Sequence, residues 1–183
     1  MKKFTFLIFA LSINLWAEEM SVKYSTGLNP QKMTISNAKI QTIQIELGEE
    51  IESILIHGVG KYKVFLQTET SLTVMDEGPH IDLINWKHGK SEFVELKIKD
   101  NEFLFVDLSK DVDFPKFTNM ELVKAVTKEA GKRWGKLAKK CKTGNTDPCA
   151  IGPSKFIFKI QKEEAKDKFI DLGQIEFVPP MGC

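Results

Sequence analysis

Between Gln41 and Leu108 the chain alternates apolar and polar residues, or gathers apolar ones in short runs, with turn-forming residues recurring between them. In QTIQIEL, Ile43, Ile45 and Leu47 alternate with Thr42, Gln44 and Glu46, the period of two that buries one face of a pleated strand. ESILIH places Ile54 and Ile56 on one side, and SEFVELKI is expected to turn Val94, Leu96 and Ile98 inward. YKVFLQT, SLTVM, HIDLINW and EFLFVDL complete the strand candidates, the last being apolar on both faces. Turns are predicted at Gly58-Val59-Gly60, Glu69-Thr70, Asp76-Glu77-Gly78-Pro79, Lys87-His88-Gly89 and Lys99-Asp100-Asn101. Strands this short and closely spaced imply a mainly β fold, an antiparallel β-sandwich or small barrel.

After Asp113-Phe114-Pro115 the period changes. Thr118 followed by Glu121 forms a capping-box signature, and Leu122, Val126, Ala130, Trp134 and Leu137 recur at helical spacing, predicting one amphipathic α-helix to about Lys140. Gly131 and Gly135 each cost such a helix about 1 kcal/mol relative to alanine and mark places where another backbone could approach. Lys124, Lys128, Lys132, Lys136 and Lys139 fall opposite the apolar stripe; a solvated face is the default, and contact with anionic lipid, glycan or an acidic partner is the alternative. KFIFKI and FIDLGQIEFV read as a C-terminal β-hairpin joined by the charged QKEEAKDK, with Phe156, Phe158, Ile175 and Phe177 as its core contacts. A hairpin is marginal alone, so it is expected to add to the main sheet or pack on the helix. Residues 18–39, broken by Gly27, Asn29 and Pro30, are expected to form an irregular lead-in with at most a short strand at Met33–Ile35.

The first residues change the picture of the whole. Lys2 and Lys3 precede an apolar run from Phe4 to Leu15 that Glu18 and Glu19 close well short of the ~20 residues a membrane span requires. This is the layout of a signal peptide at 1–17, cleaved after Ala17, and it predicts export to the periplasm or outer surface of a bacterium. The expected organisation is leader 1–17, lead-in 18–39, β-sandwich domain 40–115, and 116–183 packed on it as helix, disulfide loop and hairpin. Without the leader the chain holds 24 basic and 25 acidic residues, a balance that gives nucleic acid no global attraction. In an oxidising compartment Cys141 and Cys149 are the natural disulfide pair, because CKTGNTDPC between them is rich in residues that let a chain double back. Closing that loop is worth roughly 2.5 kcal/mol. Cys183 is left over, as a free thiol, an intermolecular link or a competitor for the pair.

His88-Gly89-Lys90-Ser91 carries the closing letters of a phosphate-binding loop. Such a loop needs glycine five positions before its Gly-Lys and a helix after it; here the earlier position is Ile84 and a strand follows. Gly89 is better read as the positive-φ residue of a hairpin turn. His57, His80 and His88 stand in different strands or turns, so no metal constellation is indicated, and no nucleophile elbow or calcium loop is present. Carboxylate pairs such as Glu49-Glu50, Asp111-Asp113 and Glu163-Glu164 fall in polar stretches where solvated charge is the default. No catalytic residue, cofactor or metal site is therefore assigned.

Residues 41–98, with IELGEE, IESILIH and INWKHGKSEFVEL in succession, resemble the small β-rich N-terminal domain of pilus-assembly and secretin proteins. Gly48 would fill the early turn of that family, and Gly89 and Ser91 the late turn before the closing strand. The resemblance covers about a third of the chain, and the helix, cysteine loop and last hairpin have no counterpart in it. It implies an exported, non-enzymatic interaction module in or beside an envelope assembly, with an envelope protein as partner. The candidate binding residues are Trp86, His88 and Lys90 in the turn and Lys124, Lys128, Lys132 and Lys136 on the helix. The alternatives are a cell-wall hydrolase acting through carboxylates that sequence cannot pair, and a polysaccharide- or anionic-lipid-binding protein using the lysine face.

Overall fold

The structure, a computed structural model, describes residues 18–26, 31–35 and 40–180. Residues 1–17, expected to be a leader, and Cys183 lie outside the described residues. In chain order the elements are β1 (Glu19–Tyr24), β2 (Gln31–Thr34), β3 (Gln41–Gln44), β4 (Ile51–His57), β5 (Tyr62–Met75), β6 (His80–Asp82), β7 (Gly89–Lys90), β8 (Val94–Glu95), β9 (Ile98–Lys99), β10 (Glu102–Leu104), α1 (Asn119–Ala130), α2 (Lys132–Ala138), β11 (Cys149–Ala165) and β12 (Lys168–Val178). The fold is mainly β, with curled sheets that together form a half-barrel. One sheet runs β2-β1-β4-β10-β9; the other runs β3-β12-β11-β5-β6, with β7 and β8 also pairing on β5.

β5 is the spine. Val64, Leu66, Thr68, Thr70, Leu72 and Val74 alternate along it, share one face by the period of two, and are all buried. Val64 and Leu66 join the larger core between the sheets, with Met20, Val22, Ile54, Phe158 and Phe177. Leu72 and Val74 join a second core beneath the helices, with Leu83, Leu122, Val126 and the disulfide cysteines. Both ends of one strand thus organise separate cores. A clamp ties the sheets at the far rim, where the carboxylate of Glu18, just ahead of β1, is held by Lys162 on β11 and by the Tyr62 hydroxyl on β5 at 2.8 Å. Burial, then the bond to Glu18, pushes the Tyr62 phenol above its ordinary pKa.

The C-terminal hairpin adds to the main sheet, Phe156 facing Phe177 and Phe158 facing Ile175, with all four side chains buried. Phe158 and Phe177 meet edge to face with centroids 5.5 Å apart. β11 pairs with β5 along most of its length, so the C-terminal hairpin continues the sheet to which β5 belongs. Cys141 and Cys149 form the disulfide, with Cα atoms 5.7 Å apart.

Several expectations are corrected. The lead-in contains β1, an inner strand between β2 and β4, with Met20, Val22 and Tyr24 buried, because EMSVKY itself alternates; residues 27–30 and 36–39 lie outside the described residues. Glu69-Thr70 is not a turn but the middle of β5, since the even-numbered register continues through the two threonines. β11 starts at Cys149, ahead of KFIFKI, and passes Pro153 through an irregularity at Pro153–Lys155, where a missing N–H is tolerated. The hairpin strands run on to Ala165 and from Lys168, so QKEEAKDK is largely strand and the turn is Lys166-Asp167. Only Leu96 of the SEFVELKI trio is buried. β8 pairs with β5 and β9 with β10, so the chain changes sheets at this point and leaves Val94 and Ile98 exposed. HIDLINW contributes strand only at His80–Asp82, β3 runs parallel to β12, and Leu47 lies beyond its end, exposed.

The single helix is two. Gly131 ends α1 and precedes α2 at φ 86° and ψ 178°, a region open essentially to glycine alone. Gly135 is buried where α2 meets α1: a Cβ there would stand 2.1 Å from the Thr127 hydroxyl. A Cβ on Gly131 would meet nothing within 4 Å, so replacing it tests backbone strain alone. Gly131→Ala is expected to destabilise the protein by about 1–3 kcal/mol in urea unfolding. A continuous helix would instead gain about 1 kcal/mol from the same change, so a rise in the midpoint would refute the break.

Candidate functional site: the cleft between α1 and the Trp86 turn

After β6 the chain turns through Ile84-Asn85, and this turn faces the outer side of α1. Between them lies a cleft of about 310 Å³, with Leu83, Asn85 and Trp86 on one wall and Glu121, Lys124, Ala125, Lys128 and Glu129 on the other. Of the residues singled out in the sequence, the fold therefore brings Trp86, Lys124 and Lys128 together. Lys132 and Lys136 stand outside the cleft on α2, and both are exposed.

Each wall is fixed from behind. Trp86 packs edge to face on Phe117 at 5.2 Å, and Phe117 in turn meets Phe114. On α1, Leu122 and Val126 are fully buried in the second core, which turns Lys124 and Lys128 outward. The first turn is closed by the capping box: the Thr118 hydroxyl accepts from the Glu121 backbone N–H at 3.2 Å, while the Glu121 carboxylate accepts from the Thr118 N–H at 2.7 Å. Lys87 bridges the walls, donating to the Lys116 carbonyl at 2.8 Å, pairing with Glu121 at 3.5 Å and lying over the Trp86 ring.

His88 and Lys90 point elsewhere, to Glu69. The Glu69 carboxylate is almost fully buried, 3.0 Å from His88 Nδ1, 3.3 Å from Lys90 Nζ and 4.0 Å from Lys155 Nζ. His88 Nε2 lies 2.6 Å from the Ile84 carbonyl, so both ring nitrogens are already engaged and neither is free for a ligand or a metal. This cluster anchors the turn to β5. Ser91 belongs to the sheet as well: its hydroxyl accepts from the Thr68 N–H at 2.9 Å, and its N–H donates to the Thr68 carbonyl at 2.9 Å. Gly89 corrects the positive-φ expectation, since it lies in β7 and is not among the positive-φ glycines. Glycine is needed for close approach: a Cβ there would stand 2.5 Å from Val112 and 2.8 Å from the Thr70 hydroxyl.

Two carboxylates line the cleft, but Glu121 and Glu129 are eight residues apart on one helix, about 12 Å along its axis. Paired-carboxylate glycoside hydrolysis works across roughly 5–9.5 Å, and Glu121 is committed to the cap and to Lys87. His57 bonds to Ser21 and His80 pairs with Asp82, both away from His88. Among the described residues no three His, Cys, Asp or Glu side chains converge as metal donors. The site's chemistry is that of an apolar and aromatic floor beside a wall of two ammonium groups and two carboxylates, of which Glu121 is already engaged.

Sequence reasoning missed Glu69, which it placed in a turn. The available signal was the unbroken even-numbered register Val64, Leu66, Thr68, Thr70, Leu72, Val74, which makes residue 69 part of a strand. No protein family, curated protein or solved structure matches this chain.

The Thr118 backbone N–H, then the Thr118 hydroxyl and Lys87, hold the Glu121 carboxyl below the ordinary glutamate pKa. A depressed carboxylate stabilises the fold fully above its unfolded pKa, near 4.3, and that contribution is lost as pH falls through the folded value. Glu121→Gln should therefore be less stable than wild type at neutral pH, with the gap closing at pH values around 4 and below. Urea midpoints of the two proteins measured across that range check this, and a constant gap would contradict it.

Proposed function

We propose that this chain is an exported, non-enzymatic interaction module of the bacterial cell envelope, accessory to a pilus or secretion assembly. The Cys141–Cys149 disulfide is compatible with an exported protein, as is the absence, among the described residues, of any helix long and apolar enough to cross a membrane. The leader-like sequence at 1–17 and the resemblance of residues 41–98 to secretin-type domains support the same reading.

The observation that carries it is the cleft, whose Trp86 and Leu83 floor and Lys124–Lys128 wall are each held rigid by separate packing. Rigid anchor points of this kind reduce the ordering cost of association. The occupant that fits is a polypeptide segment of an envelope partner presenting an apolar side chain beside a carboxylate. The spacing and prior commitments of the cleft's carboxylates argue against hydrolysis there.

Photo-crosslinking from position 85 in intact cells should trap a discrete partner. Lys124→Glu with Lys128→Glu, both exposed, should abolish the adduct while leaving the unfolding free energy within about 1 kcal/mol of wild type. An adduct that survives the double substitution, or none at all, would remove the cleft from consideration. The exported protein should also have the mass of a chain beginning at Glu18; intact mass spectrometry of the secreted or periplasmic fraction measures this directly.

A further inference from the structure

Charge is segregated along this chain far more than its near-neutral total suggests. Residues 119–142 hold eight basic residues and two acids, a net of +6, so the rest of 18–183 carries −7. The basic residues also differ in how they are partnered. In the sheets and their turns nine of the lysines lie within 4.0 Å of a carboxylate (Lys23, Lys61, Lys63, Lys87, Lys90, Lys155, Lys159, Lys162 and Lys168), while Lys32, Lys97, Lys99 and Lys166 stand singly and do not form a stripe. Lys132, Lys136 and Lys139 are exposed and, among the described residues, have no ion pair.

These three follow one another at intervals of four and three residues, so they form one outward stripe on α2 and repel each other. The opposite side of α2 is anchored, with Ala138 buried in the second core, Trp134 and Leu137 packed against it, and Gly135 set against Thr127. Asn119 at the start of α1 donates to the carbonyls of Ala138 and Cys141 at 3.0 and 2.7 Å, and the disulfide fixes the next residues. A mutually repulsive stripe is therefore presented on a rigid support with no internal counter-charge.

We infer that the outward face of α2 docks on an anionic phospholipid bilayer. Lysine is depleted in the cores of protein–protein interfaces, and its ammonium is a mobile point charge suited to a field of fluid phosphates more than to a fixed, directional partner. Arg133, the one guanidinium of the segment, is already committed to Asp76 at 2.5 Å. Each lysine near an anionic leaflet adds to the attraction, and the exposed Lys140 and Lys142 follow the stripe directly, bringing the local cluster to five. The inference goes beyond the cleft reading and uses different residues, so the two can fail separately.

The test is co-sedimentation of the mature protein with phosphatidylcholine vesicles and with vesicles in which one third of the lipid is phosphatidylglycerol. Binding is expected only to the second and should vanish in molar salt. The K132E/K136E/K139E protein should bind at least about 100-fold more weakly, while the crosslink from position 85 persists. The charge-neutral K132Q/K136Q/K139Q protein, with its circular dichroism melt compared with wild type, should show the same loss in a folded chain. Absence of phosphatidylglycerol-dependent binding, equal binding to neutral vesicles, or undiminished binding by the folded triple-glutamine protein would each overturn the proposal. So would loss of a crosslinked acidic protein, with vesicle binding intact, as the sole effect of the reversal.

Discussion

The uninterrupted burial of one face of β5 is the constraint on which the rest depends. Six alternate side chains, from Val64 to Val74, leave water along a single strand, and each fully buried aliphatic among them contributes on the order of 1.5–3 kcal/mol. The central pair are threonines whose hydroxyls have no hydrogen-bond partner, a cost the strand bears to remain continuous between two cores. A turn at Glu69-Thr70 would avoid that cost but would uncouple the helical layer from the half-barrel. The opposite face is polar, with Glu69, Ser71 and Thr73 buried there, and Glu69 is compensated by His88, Lys90 and Lys155.

Both walls of the cleft take their positions from that strand. The Trp86 turn is held by His88 on Glu69 and by Gly89 pressed against Thr70, two contacts to adjacent residues on opposite faces of β5. α1 is held by Leu122 and Val126, which share the second core with Leu72 and Val74. A change that tilted β5 would move both walls together and keep their separation. A change at Glu69 or Gly89 would move only one. The polar cluster under the turn thus acts on the site through position, without lining it.

Much of this was legible in the residues. Alternation gave the mainly β class, the Thr118–Glu121 spacing gave the start of α1, and turn chemistry between Cys141 and Cys149 gave the disulfide. Phe156, Phe158, Ile175 and Phe177 were readable as one cross-strand set. The failures share a physical cause: local pattern does not report what a segment meets. Two threonines and a glutamate look like a turn unless a buried counter-charge is known to await the glutamate. Gly131 reads as a weak helical residue because periodicity survives a break that preserves the apolar face. SEFVELKI alternates well, yet its chain crosses from one sheet to the other, so alternation stopped predicting burial. For the site, Trp86, Lys124 and Lys128 were identifiable as residues, but only the fold shows that they share a cleft, while His88 and Lys90 serve the support behind it.

The disulfide belongs to this logic of support. It spans the turn from the end of α2 to the beginning of β11, where Cys149 pairs with Val74 and the Met75 N–H donates to the Pro148 carbonyl at 2.8 Å. α2 is tied to its surroundings by the Arg133–Asp76 pair and by Asn119 on the Ala138 carbonyl, and its inner face offers Ala138, Trp134 and Leu137 to the core. A short helix carrying adjacent like charges is intrinsically weak, since helices under about 12 residues draw their stability from packing. A nine-residue covalent loop, worth roughly 2.5 kcal/mol, is of the size needed to hold such a helix down while leaving the half-barrel to its own core. The bond therefore secures the presentation of the charged face more than the existence of the fold.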